Sequence, residues 1–465
     1  MIKFGTGGFR GVIGVDFTKE NVQLCIQALC NMAKRSGSTK PVIVGYDYRF
    51  ASEFAGVWAA EVLAGNGMQC WLYDEAMPTP AIMSVVKNEQ LDYGVMITAS
   101  HNPYYYSGVK LFMKGGVDAD VAFTGEIEKE CAAIRSVQAI SSEEGTAKGF
   151  IQKVSFKRQY FDNIKSFIDE SIKNNHAKIL YNDLFGVGAV CLKPLAAEYG
   201  IAQFDVINDK RDAFFGGVLP NPTKEMMLSM RGRVLEGGYD FAIATDSDSD
   251  RLGVLDEKGQ YVDSNDILAC LYYYLVRYRG MKGDIVKNCA TSILVDRVAE
   301  KLGYRCHEVD VGFKNISSKM LETDALIGGE SSGGLTVRGY VMGKDSVFSA
   351  SLFMEMVIRM GKPVSEIVRE VHDFAGYDHA IEEETLTFSE MDRVKKQLEG
   401  AAPAFDGPIV RMQQFNSNYK YYFDDDCWVL IRMSGTEPVV RVFAEMKSAD
   451  ESDGQISAVK KFLSA

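Results

Sequence analysis

Tyr93-Gly94-Val95-Met96-Ile97-Thr98-Ala99-Ser100-His101-Asn102-Pro103 is the stretch whose reading decides the fold. Its first five residues form a short apolar and β-branched run and read as a buried strand, which puts Ser100 on a tight turn at that strand's carboxyl end. Open α/β sheets place their chemistry at that end. A serine there is either a nucleophile or a cap for the next element, since Ser, Asn and Pro are ordinary turn residues. His101 beside it and Lys110 further on are possible proton carriers, and Pro103 stiffens the exit from the turn.

Working outward, the same pattern recurs. In the first repeat, Pro41 to Asp47 reads as a strand, Phe54 to Ala60 as part of a helix and Gln69 to Tyr73 as a strand. A helix from about Pro80 then leads into the strand that feeds Ser100. A second repeat has strands at Lys178 to Asp183, Phe204 to Ile207 and Asp240 to Thr245, with helices around Ala189 to Tyr199 and after Thr223. A third has strands at Asp284 to Asn288, His307 to Val309 and Ala325 to Gly328, with helices at Ile293 to Leu302 and from Phe313. Strands alternating with helices at this spacing predict α/β domains with parallel sheets and right-handed crossovers. From about His372 the pattern changes. Strand-like Ile409 to Met412, Tyr419 to Phe423 and Trp428 to Arg432, followed by a final helix, predict a smaller α+β domain.

Each repeat's last strand runs into a polar loop: Ser100-His101-Asn102, then Asp246-Ser247-Asp248-Ser249-Asp250-Arg251, then Gly329-Glu330-Ser331-Ser332-Gly333-Gly334. If the sheets pack side by side, these loops share one cleft. Three alternating carboxylates would repel one another unless a cation sat among them, and an oxygen-only set favours a hard ion, Mg²⁺ or Ca²⁺. An EF-hand loop matches in part, with Glu257 at its last position. It fails where Gly is needed and Arg251 stands, and the preceding segment is a strand. Arg251 can offset the acids or hold a phosphate. In the last segment Arg432-Met433-Ser434-Gly435-Thr436-Glu437-Pro438 is either a phosphate cradle, with an Arg fork and further donors, or an ordinary turn.

The bounds agree with a large soluble protein. The chain has 465 residues, too many for one core at about 150 per domain. Its composition, 46% hydrophobic and 25% charged, is that of ordinary globular domains, and a net charge of -12 argues against general nucleic-acid binding. No apolar run reaches the roughly 18 residues that span a bilayer, and the amino-terminal stretch lacks the apolar region of a secretion signal. The nine cysteines are scattered singly, which predicts buried thiols in a reducing cytosol and hence a cytoplasmic protein with no membrane or nucleic-acid partner.

The chain resembles the α-D-phosphohexomutases, the phosphoglucomutase and phosphomannomutase enzymes, over essentially its whole length. The resemblance rests on Phe4-Gly5-Thr6-Gly7-Gly8-Phe9-Arg10-Gly11, on Thr98 to Pro103 with Gly108-Val109-Lys110, and on the loops Asp246 to Arg251, Gly329 to Gly334 and Arg432 to Pro438. It implies three similar α/β domains with mixed, largely parallel sheets plus a smaller α+β carboxyl-terminal domain around a central cleft. The expected boundaries are residues 1–150, 151–256, 257–370 and 371–465.

It also implies a phosphorylated Ser100, with Mg²⁺ held by a phosphate oxygen on Ser100 and by Asp246, Asp248 and Asp250. Arg10 and Arg251 would stabilise the phosphoryl group in flight, and Lys110 or His101 would carry the proton. Glu330 and Ser332 would hold sugar hydroxyls, with Lys314 also at the substrate, while Arg432, Ser434, Gly435 and Thr436 would hold the non-reacting phosphate. The implied partner is a small phosphosugar, interconverted between 1-phosphate and 6-phosphate through a hexose 1,6-bisphosphate that is both intermediate and activator.

Departures bear on the sugar. Ser247 and Ser249 stand where many members have Gly, Ser107 replaces a common Asn, and Ser331 stands where Glu, Met or Gln is usual. Asp310-Val311-Gly312-Phe313-Lys314 resembles the loop of glucose-type mutases, which ranks glucose phosphate first, then mannose and glucosamine phosphate. Asp47 and Arg49 are expected to pair beneath the first loop. The histidines outside the loops and the Tyr272-Tyr273-Tyr274 cluster are expected to be structural. Asp373 to Tyr377 is expected to be a hinge for the last domain.

Overall fold

The computed structural model describes residues 2–464 apart from 6, 7, 174, 424, 425 and 435–437. The chain forms two compact units, residues 1–267 with 332–367 and residues 268–331 with 368–465.

The first unit holds two sheets. The order of the larger is Phe4–Gly5, Gly8–Val12, Tyr106–Met113, Tyr93–Ile97, Val42–Tyr46, Cys70–Tyr73, Ile151–Val154. Val42–Tyr46 runs parallel to both its neighbours, as the helices Ser52–Gly65 and Thr79–Asn88 between them require. Every residue of Val42–Tyr46 and Tyr93–Ile97 is buried, the mark of strands covered on both faces. The sheet is mixed, as the family resemblance implies, although strand spacing alone points to parallel pairing. Tyr106–Met113 folds straight back, antiparallel to Tyr93–Ile97, with Ile97 opposite Val109 and Met96 opposite Lys110. Residues 98–105 are too few for a crossover and enough for a hairpin.

The second sheet repeats the design. Gln203–Ile207, Lys178–Asn182 and Phe241–Thr245 are parallel, and Leu252–Leu255 returns antiparallel to Phe241–Thr245. The acidic loop is therefore also the tip of a hairpin. Ile151–Val154 belongs to the first sheet and Tyr261–Val262 to the second, so both sheets run past the boundaries expected at residues 150 and 256. The helix Ser346–Met360 packs on the second sheet through Phe241 and Phe353. Its N-cap Asp345 accepts hydrogen bonds from Phe348 N and from the hydroxyls of Tyr160 and Tyr340.

In the second unit Cys306–Val309, Ile285–Asn288 and Ile327–Gly329 pair in parallel in that order. A five-stranded antiparallel sheet follows: Ala380–Thr387, Val439–Met446, Trp428–Met433, Asn418–Tyr422, Arg411–Phe415. The last strand begins at Arg411, later than expected, and leaves Ile409 and Val410 exposed. Ala380–Thr387 and Val439–Met446 lie outside the strands expected from sequence. Buried Glu445 ties this sheet to the parallel strands, accepting from Ile293 N at 2.9 Å, from Tyr377 Oη at 2.6 Å and from Ser292 Oγ and Trp428 Nε1. The helix Val364–Ala375 stops at Gly376, whose φ of 66° favours glycine and whose carbonyl accepts from Arg297 at 2.6 Å.

All nine cysteines are free thiols and only Cys306 is not buried. Tyr272, Tyr273 and Tyr274 are buried, in keeping with packing roles. Among the described residues no helix is long and apolar enough to cross a membrane.

Candidate active site

The serine turn is wound tightly enough to put Ser100 in the left-handed region, at φ 50°, an uncommon place for a residue with a Cβ. Local hydrogen bonds hold it there. Ser100 N donates to Thr98 Oγ1 at 2.8 Å, and Thr98 Oγ1 donates to buried Asp47 at 2.6 Å. Asp47 also accepts from Ser52 Oγ and Arg49 N, and its carboxylate lies 3.5 Å from Arg49 Nε, so the two residues do pair beneath the loop. The Ser100 hydroxyl is left pointing at the acids, 3.0 Å from Asp246 Oδ2 and 3.4 Å from His101 Nδ1.

The acidic hairpin tip is closed by one of its own carboxylates. Asp246 Oδ1 accepts from Asp250 N at 2.8 Å and Arg251 N at 3.0 Å. Ligand atoms from Asp246, Asp248 and Asp250 lie within 4.8 Å of one another, and all three residues are buried. Lys110 Nζ, delivered by the return strand of the serine hairpin, sits 2.6 Å from Asp248 and 3.1 Å from Asp250. Thr79 Oγ1 donates to Asp248 at 2.7 Å and Lys344 Nζ lies 3.0 Å from Asp250. Neither Thr79 nor Lys344 stands out in the sequence. Each comes from a segment remote from the acids, and only a lysine after Gly343 in an otherwise apolar stretch hints at one of them.

Asp248 Oδ1 and Asp250 Oδ1 are buried without a hydrogen-bond partner. Buried polar atoms are normally satisfied, so two orphaned carboxylate oxygens in an oxygen-only cluster fit a hard divalent cation. Charge crowding is also relieved by the protein itself, which sequence reasoning had left to a metal. Burial, then Asp250 and Asp248, push Asp246 well above the usual carboxylate range. For Asp248 burial acts upward too, but Lys110 and the Thr79 hydrogen bond help hold it low. For Asp250 burial is outweighed by Lys344, Lys110 and Arg251 together.

The proton carriers separate by the same logic. Burial, reinforced by Arg251 and Arg10, drives His101 well below its ordinary range, so it is a neutral imidazole near pH 7. Burial opposes the charge on Lys110, yet Asp248 and Asp250 outweigh it and keep the ammonium charged. Arg10, on Gly8–Val12, donates to Asn102 Oδ1 at 2.7 Å. Arg251 Nε lies 3.7 Å from Asp250 and has no hydrogen-bond partner. Arg10, Ser100, His101, Lys110, Arg251 and the three acids are thus gathered in the first unit.

Of the remaining expected residues, Ser332 is an exposed residue of the first unit, next to Gly333, whose carbonyl accepts from Leu252 N at 3.1 Å. Lys314, Glu330, Arg432 and Ser434 lie in the second unit. There Glu330 Oε1 accepts from Gly312 N at 3.2 Å, at the start of the helix that carries Lys314. Arg432 stands directly opposite Arg441 across the antiparallel pair. Arg441 was not singled out in the sequence, where it lies in a stretch that was not read as a strand. Ser434 N donates to Val439 O at 3.0 Å. Gly435 and Thr436 lie outside the described residues.

Three α/β sheets, a small antiparallel domain and a serine hairpin set against an acid triad are the layout that the phosphohexomutase resemblance implies. Comparison with known proteins agrees along the chain. Residues 1–138, 158–259 and 263–374 match phosphoglucomutase/phosphomannomutase alpha/beta/alpha domains I, II and III, and residues 384–460 match the C-terminal domain of the same family. A "Phosphoglucomutase/phosphomannomutase" of Thermococcus kodakarensis is 29% identical over 463 residues, covering 97% of this chain and 95% of that protein. A "Probable phosphoglucosamine mutase" of Pyrococcus abyssi is 26% identical, with 99% and 97% covered. A crystal structure of a "putative phosphomannomutase" from Thermus thermophilus superposes with a TM-score of 0.87 at 27% identity, covering 100% of this chain and 99% of that one. The chain belongs to the phosphoglucomutase/phosphomannomutase family and is an isomerase-class phosphotransferase.

Proposed function

We propose that the enzyme interconverts hexose 1-phosphate and hexose 6-phosphate through phosphorylated Ser100 and a hexose 1,6-bisphosphate intermediate. The observation that carries this reading is the aim of Ser100 Oγ at the acid triad, 3.0 Å from Asp246, from a turn held under backbone strain. A phosphoserine at that position would complete an oxygen set with Asp246, Asp248 and Asp250 suited to Mg²⁺. When bound, that ion neutralises charge on the phosphoryl oxygens.

The chain's own residues account for the rest. Arg10 and Arg251 bring guanidinium charge to the phosphoryl group as it passes between oxygens. Neutral His101, 3.4 Å from Ser100 Oγ, would take the serine proton as that oxygen accepts a phosphoryl group from the bisphosphate, and charged Lys110 would give a proton to the departing sugar oxygen. The orientation-independent part of recognition falls to a dianion clamp. Arg432 is assigned to the non-reacting phosphate with Ser434, Gly435 and Thr436. Arg441 joins them because it stands directly opposite Arg432, so that two guanidinium groups share one place in the sheet with Glu383 as their nearby counter-charge. Glu330, Ser332 and Lys314 are assigned to the sugar by family resemblance.

The names of the relatives support mannose phosphate or glucosamine phosphate ahead of glucose phosphate. Glucose remains the second reading through the Gly312-Phe313-Lys314 loop. Turnover of mannose, glucosamine and glucose 1-phosphates, with Mg²⁺ and a trace of glucose 1,6-bisphosphate, ranks the three sugars directly. Ser100→Ala is expected to lower turnover at least about 10³-fold while the fold persists. Undiminished turnover in that variant would remove Ser100 as the nucleophile.

A further inference from the structure

Arg49 is completely buried, and its guanidinium is spent on the backbone of the serine loop. Nη1 donates to Pro103 O at 3.0 Å and Tyr106 O at 2.9 Å. Nη2 donates to Asn102 O at 2.6 Å and to Ser100 O. One face of the guanidinium is covered by the Phe215 ring, 4.9 Å away, and Asp47 supplies the counter-charge. A planar fork can satisfy several carbonyls from one position, which a lysine ammonium cannot do with the same geometry.

The carbonyl of Ser100 has a second donor, and it comes from the acidic loop. Ser247 Oγ donates to Ser100 O and lies 3.4 Å from Arg49 Nη2. Ser247, Arg49 and the Ser100 carbonyl therefore form a closed three-way contact between the two hairpin tips. Ser247 sits between Asp246 and Asp248, yet its side chain is turned away from the triad and toward the nucleophile's own peptide group. A glycine at that position would leave the Ser100 carbonyl to Arg49 alone.

We propose that Arg49 and Ser247 clamp the Ser100 carbonyl and so set the position of Ser100 Oγ relative to Asp246, which makes both of them positioning residues for phosphoryl transfer. The clamp rests on Ser100 as the phosphorylated residue. Neither side chain touches the reacting atoms; each acts through the peptide group whose orientation fixes the hydroxyl. Loss of either donor lets the serine turn relax while the substrate-binding groups stay in place, so the rate of transfer falls and substrate affinity does not.

The test has two stages. The full-length protein is incubated with glucose 1,6-bisphosphate and Mg²⁺, and peptide mapping is expected to find phosphate on Ser100 and none in Ser100→Ala. Absence of phosphate from Ser100 overturns that assignment and the clamp with it. Transfer from phosphorylated enzyme to the preferred hexose 1-phosphate is then followed in a single turnover for Ser247→Ala and Arg49→Lys. Misplacing a reacting group by about 1 Å can cost on the order of 100-fold, so a decrease of roughly 10-fold is expected for Ser247→Ala and up to 100-fold for Arg49→Lys, with KM unchanged. Should Arg49→Lys fail to fold, Ser247→Ala decides alone. Phosphorylated Ser247→Ala that transfers at the wild-type rate, or whose loss lies wholly in KM, would refute the clamp.

Discussion

The two hairpin tips that form the site solve one problem in opposite ways. A tight tip leaves backbone groups without ladder partners, and buried ones must be satisfied. In the serine loop the loose groups are carbonyls, and a cation from a distant strand end, Arg49, collects them. In the acidic loop the loose groups are amides of Asp250 and Arg251, and Asp246 of the same loop accepts both. The serine tip gives its carbonyls to one remote guanidinium, whereas the acidic tip closes two amides on its own Asp246 and gives the carbonyls of Ser247, Asp248 and Ser249 to three separate backbone amides, Val187 N, Thr79 N and Ser346 N. The difference teaches where each is vulnerable: the serine tip depends on one side chain, Arg49, whereas the acidic tip spreads its anchoring over its own Asp246 carboxylate and several backbone amides.

The largest expected effect would break that contrast if it failed to appear. Arg49→Met leaves Asp47 unpaired and several carbonyls unsatisfied, which should cost about 3–5 kcal/mol, the range for breaking a buried ion pair. Asp246→Asn keeps an acceptor for the two amides and removes a carboxylate that burial and its neighbours already disfavour as an ion. It should cost no more than about 1 kcal/mol while activity is lost. Urea unfolding of the two variants measures the difference, and equal losses would mean that the tips are held alike.

A smaller effect concerns the support behind the acidic loop. Val187 N donates to Ser247 O at 3.1 Å, and Asp183, at the start of that segment, is buried with Oδ1 bonded to Tyr181 Oη and Ala189 N and Oδ2 without a hydrogen-bond partner. Burial raises this carboxyl to about 7, whereas in an unfolded chain it titrates near 3.9. The folded state therefore binds the proton more tightly. The stabilisation is complete below about pH 4 and is lost as pH rises through about 7. Relative to wild type, Asp183→Asn should gain on the order of 2–4 kcal/mol across that interval. A difference that stays constant with pH would show that Asp183 does not titrate there.

The smallest effect separates the protein's own cations from the metal. Lys344 lies 3.0 Å from Asp250, and replacing it with methionine removes a positive charge that a divalent ion must otherwise face. Calorimetric titration of Mg²⁺ into the unphosphorylated Lys344→Met protein should show binding tightened severalfold, roughly 1 kcal/mol of charge interaction at a site that retains some solvent. Weaker binding would mean that Lys344 organises the triad instead of opposing the ion.

Much of this was legible in the sequence because it is local. Strands from Val42–Tyr46 to Ile327–Gly329 announce themselves by apolar runs bounded by turn residues, and the serine and acidic loops follow those runs directly. The pairing of Asp47 with Arg49 was readable from their spacing at the end of a strand. Strand spacing alone gives the parallel crossovers, while the mixed sheets come from the family resemblance, and the antiparallel return of Tyr106–Met113 is one source of that mixture. The strands Ala380–Thr387 and Val439–Met446 were missed because charged residues interrupt their apolar runs: glutamates at partly exposed positions in the first, and in the second a Glu445 that is buried and hydrogen-bonded.

Chain order alone determined the fold class, the three polar loops at strand ends, the oxygen-only triad and the family, since these depend on residue type and on separations of a few positions along one backbone. Tertiary structure decided which atoms meet: Lys110, Lys344 and Thr79 at the acids, Arg49 and Ser247 at the Ser100 carbonyl, Arg441 opposite Arg432. It also decided that His101 is neutral and Lys110 charged. The physical reason is that Coulomb interaction and desolvation depend on distance and burial in space, and residues tens to hundreds of positions apart become neighbours only when the sheets close over them.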